Sequence, residues 1–152
     1  MQNFQTTRDV LQYIRLFHRT LADHYQRMSD RSGEERLKMV LDYMSRHESG
    51  IENLLVRYEE NASQKILDSW FQFTEEQSLA LPHAETLFSE ATTVEEIISS
   101  ALEIDDCLLR FYRALAECSH CGPVRDLFGN LLEMVEQEKH HKIRTALGSM
   151  DL

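Results

Sequence analysis

Five polar side chains stand where helical periodicity predicts apolar ones. They are two imidazoles and three carboxylates: His18, Glu48, Asp105, Glu138 and His141. A carboxylate or imidazole on the buried face of a helix costs several kcal/mol unless a partner compensates it. Carboxylate oxygens and imidazole nitrogens are also the donors that bind iron or manganese in proteins, and zinc accepts them too. We therefore predict that the five side chains converge on one site, with a mononuclear or dinuclear metal as the first candidate occupant.

Glu138 and His141 have the most specific spacing of the five. Residues three apart lie on one face of a helix, about one turn apart, so both side chains can reach one ion. Carboxylate-bridged di-iron proteins use one Glu on each of two helices and a Glu-x-x-His on each of the other two. Here Ile51 stands three residues after Glu48, so one imidazole of that ligand set is missing.

Four amphipathic segments carry these residues. Apolar side chains recur three or four residues apart in each, which is typical of the buried face of a helix. We predict helices over about 7–28, 33–60, 93–117 and 123–147. In the fourth segment the predicted buried stripe runs through Leu127, Leu131, Met134, Glu138, His141 and Thr145. Start signals precede all four helices: Thr6 before Asp9, capping-box patterns at Ser32–Glu35 and Thr93–Glu96, and the pair Gly122-Pro123.

The connections between the predicted helices are unequal in length. Tight turns around Ser29–Gly33 and Ser119–Pro123 predict two antiparallel helix hairpins. The segment 61–92 is long enough to cross the full height of a bundle. We therefore predict an all-α fold, a single domain over 1–152, in which two hairpins joined by a long crossover form a ferritin-like four-helix bundle.

The third and fourth helices carry a family resemblance. The third is acidic around Asp105 and reaches Phe111-Tyr112, and the fourth contains the Glu138-to-His141 motif. At these residues the chain resembles the rubrerythrin-like branch of the ferritin-like superfamily. The resemblance extends from about residue 7 to 147. It implies bound iron and the oxidation of that iron by oxygen or peroxide, or the reduction of peroxide.

The chain departs from the pattern of that branch at three positions. His18 stands where the first-helix glutamate belongs, and Asp105 is one methylene shorter than the expected glutamate. Ile51 replaces an imidazole. Because His18 removes an anionic donor, the ferric state would be less stabilised, and enzymatic activity is left open.

Three functions remain open from the residues alone. The first is a metal-binding protein with an altered site for iron, manganese or zinc. The second is a scaffold or interaction bundle without a cofactor, whose metal site has been lost and whose polar residues pair with one another. The third is a binding module that holds a small organic ligand in the same place.

Composition limits the partners and the location. A net charge of −10 disfavours nucleic acid and anionic membranes, because both require a basic surface. No apolar run approaches the roughly 20 residues of a membrane span, and the polar N-terminus favours the cytoplasm. Trp70, Phe71 and Phe73 cluster in the crossover, and we predict that they contribute to a homodimer contact. Cys118 and Cys121 form a C-x-x-C pair, but a closed zinc site would need a second pair.

Overall fold

The computed structural model describes residues 6–71, 81–82 and 93–146. These residues contain four long helices and one short one: α1 (Thr7–Arg31), α2 (Glu35–Asn61), α3 (Gln64–Leu67), α4 (Val94–Cys118) and α5 (Gly122–Ala146). In the described ranges the only β-pairing is two isolated bridges. The predicted all-α fold is confirmed. None of the described helices is long and apolar enough to cross a membrane.

The helix starts follow their sequence signals, with one exception. Thr6 and Thr93 each form a complete capping box, with Asp9 and Glu96 respectively. The predicted box at Ser32–Glu35 is wrong, because α2 begins after Glu34 and no side chain caps it. The Ser32 hydroxyl instead accepts a hydrogen bond from the backbone N–H of Glu34, just outside the helix.

The four long helices form two hairpins. Short turns join α1 to α2 and α4 to α5, and each pair packs along its length. Isolated bridges from Thr6 to Trp70 and from Phe71 to Ser119 place those residues at one end of the bundle. An ion pair between Arg36 and Glu95 marks the other end, where α2 and α4 begin. The chain between Phe71 and Thr93 therefore joins opposite ends, as a crossover must.

Two neighbouring aromatic side chains at the start of the crossover differ in exposure. Phe71 is buried and packs edge-on against Phe128, with ring centroids 6.0 Å apart. Trp70 is 61% exposed. Phe73 of the predicted dimer contact lies outside the described residues, as does the predicted end of the fourth helix at residue 147.

The buried face of α5 differs from the predicted stripe. Its most buried positions are Val124, Phe128, Leu131, Val135 and Lys142. Glu138 and His141 are half-buried at the edge of that face. Apolar residues also occupy 127, 132 and 134, so the apolar face of this helix is wide and its centre is ambiguous from periodicity alone. Packing against the other helices determines the centre of the buried face and places Lys142 there.

Candidate metal centre

His18 and Glu48 meet in the core, where α1 faces α2. Both side chains are almost completely buried. His18 Nδ1 lies 2.5 Å from Glu48 Oε2, and His18 Nε2 lies 2.6 Å from the hydroxyl of Tyr112 on α4. One carboxylate, one imidazole and one phenol thus form a continuous hydrogen-bonded chain across three helices.

The protonation states of Glu48 and Tyr112 follow from their surroundings. Burial would raise the pKa of Glu48, but the charge and hydrogen bond of His18, with help from Lys142, outweigh burial and hold that pKa below its usual value. Burial and the charge of Glu48 raise the pKa of Tyr112 well above 10.0, so its hydroxyl keeps its proton. Both ring nitrogens of His18 thus have hydrogen-bond partners, Nδ1 with Glu48 and Nε2 with the Tyr112 hydroxyl.

Asp105 on α4 forms an ion pair with Lys142 on α5. The lysine Nζ lies 2.9 Å from Oδ1 and 2.8 Å from Oδ2, so one ammonium group donates to both carboxylate oxygens. Each side chain is only 5% exposed. Burial raises the pKa of Asp105 to about 6; Lys142 opposes this rise, and the charges of Glu48 and Glu138 add to it.

Glu138 and His141 face α2 at the edge of the core. The Tyr43 hydroxyl donates to Glu138 Oε1 over 2.8 Å, and His47 Nδ1 lies 3.6 Å from Glu138 Oε2. The His141 ring packs against Tyr43, with centroids 5.1 Å apart. Burial lowers the pKa of His47, while the charges of Glu48 and Glu138 oppose that effect. The Glu-x-x-His motif therefore contacts a tyrosine and a histidine one turn apart on α2.

The five predicted site residues thus lie in a deep group and an edge group. His18, Glu48 and Asp105 are in the deep core, whereas Glu138 and His141 belong to the edge. The charges of Glu48 and Glu138 both raise the pKa of Asp105, so the two groups act on each other electrostatically.

Lys142 is not among the residues predicted from the sequence, because a lysine in a charged stretch is ordinarily solvated. A signal was nevertheless present. Lys142 follows Val135 by seven residues and Leu131 by eleven, so it lies on the same stripe of α5 as both.

The arrangement does not fit a di-iron centre as it stands. Within 6–71, 81–82 and 93–146, no group of three or more His, Cys, Asp or Glu side chains could hold a metal ion. Both oxygens of Asp105 already accept hydrogen bonds from Lys142, and one oxygen each of Glu48 and Glu138 is bonded to His18 and Tyr43 respectively. A cation bound at Asp105 would also have to displace an ammonium group of the same charge sign.

A solved structure from Thermotoga maritima, described provisionally as a ferritin-like diiron-carboxylate protein, has a similar fold. The TM-score is 0.71 at 10% sequence identity, and the match covers 99% of this chain and 100% of that chain. No family model and no curated protein matches the sequence. At this identity the likeness establishes the fold, so the predicted ferritin-like fold is confirmed. The rubrerythrin-like branch stays a prediction.

Proposed function

We propose that this chain, whose fold is ferritin-like, is a metal-independent scaffold or interaction protein whose internal carboxylates are neutralised by its own side chains. One observation carries the proposal: Lys142 Nζ donates to both oxygens of Asp105 in the buried interior. A lysine is almost never buried so far unless it is paired, and here the pairing is bidentate.

The charges of the deep core support the same function. Glu48 has His18 as a hydrogen-bond partner, and Asp105 has Lys142 as a counter-ion. In a protein that depends on a metal, such carboxylates would repel one another until the cation bound. In this chain the partners that satisfy them are already part of the fold, so folding needs no metal.

A metal-binding protein is the second candidate, and the electrostatic effect of Glu48 and Glu138 on Asp105 favours it. In this candidate Lys142 swings away from Asp105. His18, Glu48, Asp105, Glu138 and His141 then bind iron, manganese or zinc. These side chains could position and charge-balance the ion, and the bound metal would supply the redox chemistry.

Metal analysis distinguishes the two candidates. The protein is purified without chelator, analysed for bound elements, and melted with and without iron(II), manganese(II) and zinc(II). We expect no stoichiometric metal and an unchanged Tm. The matched control is the double variant Glu138→Gln/His141→Leu. A metal-dependent rise of Tm in the parent protein that disappears in this variant would favour the second candidate.

For association, we propose a homodimer in the cytoplasm. Trp70 supports the dimer, because a large aromatic side chain that is 61% exposed is a typical interface anchor. Phe71 does not contribute to that surface, since it packs on its own bundle. The cytoplasmic location rests on composition.

A further inference from the structure

Lys142 has an unusual position for a cationic side chain. It is 4% exposed and lies on the most buried stripe of α5, in line with Val135 and Leu131. A buried ammonium group is strongly unfavourable unless anionic acceptors surround it. Its acceptors are the two oxygens of Asp105, a residue 37 positions earlier on the neighbouring helix.

Lys142 also acts on a second carboxylate besides Asp105. Its charge helps to lower the pKa of Glu48, which lies on α2. Asp105, in turn, is affected by the charges of both Glu48 and Glu138. The ammonium group therefore bonds directly to Asp105 on α4 and acts electrostatically on Glu48 on α2.

We infer that Lys142 is the resident cation of the carboxylate cluster formed by Asp105 and Glu48, and that it excludes divalent metal ions from the cluster. The inference rests on the proposed metal-independent function and adds the residue responsible for it. A divalent ion beside Asp105 would face a fixed positive charge at hydrogen-bond distance in a low-dielectric interior, where like charges repel strongly. With the ammonium removed, the buried carboxylates Asp105 and Glu48 would offer oxygen donors whose charge is no longer balanced by Lys142, and such donors suit manganese or zinc.

The test removes the positive charge and keeps the length of the side chain. Lys142→Met and Lys142→Gln are compared with the parent protein, and Lys142→Arg is the matched control because it keeps the charge. Each protein is melted with and without manganese(II) or zinc(II), and bound metal is counted by equilibrium dialysis.

We expect Lys142→Met and Lys142→Gln without metal to melt about 10 °C lower than the parent, since each leaves a buried carboxylate without its partner. Saturating manganese or zinc should then raise the Tm of both by about 5 °C or more. The parent and Lys142→Arg should bind no metal at the cluster and show no shift.

Metal binding by the parent and by the neutral variants tests the inference about Lys142 separately from the proposed function. If the parent binds no metal and the neutral variants bind none either, the inference about Lys142 is overturned while the proposed function stands. If the parent itself binds metal through Glu138 and His141, the metal-independent function fails first. Should a neutral variant not fold alone, it is refolded with and without metal; recovery of helical circular dichroism only with metal supports the inference, and equal failure in both overturns it.

Discussion

The carboxyl group of Asp105 is subject to two opposing effects. Burial raises its pKa to about 6, even though the Lys142 ammonium works in the other direction. In the Asp105–Lys142 ion pair, two hydrogen bonds from one ammonium group therefore offset the unfavourable burial of the charges. Burial is the largest single effect on Glu48 as well, but there the combined effects of His18, Lys142 and His47 outweigh it and the pKa falls.

We predict a specific pH dependence for Asp105. Its ordinary pKa is 3.8 and the folded value is about 6, so between these values the folded state binds more protons than the unfolded state. The contribution of Asp105 to the unfolding free energy is therefore largest below pH about 4 and is lost as pH rises through about 6, by at most about 3 kcal/mol.

Urea unfolding of the parent and of Asp105→Asn from pH 4 to 7 measures this effect. The difference in unfolding free energy, parent minus variant, should fall as pH rises. Glu48 is common to both proteins, so its opposite pH dependence cancels. A difference that stays constant or grows with pH would contradict the prediction.

Tyr112 gives a second prediction at the level of single residues. Its hydroxyl is hydrogen-bonded to His18 Nε2, and the side chain lies completely inside the core. Tyr112→Phe should lower the unfolding free energy by about 1–3 kcal/mol, because a buried ring nitrogen loses its hydrogen bond. Tyr58→Phe is the matched control, since the Tyr58 hydroxyl makes only an exposed 3.5 Å contact with the Pro123 carbonyl. Denaturant unfolding that shows equal losses in both variants would refute the role assigned to Tyr112.

At the level of helices, the first helix of each hairpin begins with the same type of N-terminal cap. Thr6 starts α1 and Thr93 starts α4, each through a reciprocal capping box. The second helix of the first hairpin, α2, begins without a side-chain cap. The helices that open the hairpins are therefore specified locally, whereas the start of α2 depends on the turn and on packing against α1.

Cap substitutions test this difference between helices. Thr6→Ala and Thr93→Ala should each lower the unfolding free energy by about 1 kcal/mol, because a helical N–H loses its acceptor. Ser32→Ala should cost less than about 0.5 kcal/mol, since its hydroxyl bonds outside α2. Thermal or urea unfolding gives all three values. A Ser32 effect as large as the threonine effects would mean that the serine does cap α2 in solution.

For the whole molecule, association depends on a few exposed apolar side chains. Leu16, Met39 and Trp70 are more than half exposed, and Trp70 is the largest of them. The net charge of −10 disfavours close approach of two copies, so an apolar contact has to overcome it.

We predict that Trp70 is the anchor of a homodimer. Sedimentation at micromolar concentration should give a dimeric mass for the parent and a larger monomer fraction for Trp70→Ser, because the buried indole supplies much of the contact energy. Met39→Ser is the matched control, as Met39 is 51% exposed and lies near the start of α2. A monomeric parent protein would refute the dimer, and equal effects of both substitutions would refute the assignment to Trp70.

Much of this molecule is determined by local patterns in the sequence. Periodic apolar stripes predict the long helices, and the length of segment 61–92 predicts the crossover. The stripes also predict that His18, Glu48 and Asp105 point inward, as they do. These features are local, because a helix of 3.6 residues per turn places neighbours on a face whatever lies opposite.

Tertiary structure decides which partner each inward charge meets. On α5 the apolar face is wide, and only packing against the other helices places Lys142 at its centre and Glu138 and His141 at its edge. The bond from Lys142 to Asp105 spans 37 positions, and the bond from His18 to Tyr112 spans 94. Periodicity reports the direction of a side chain within its own helix, but a charge pair depends on distances between helices. The choice between a metal ion and a lysine as the internal cation is therefore a property of the assembled bundle.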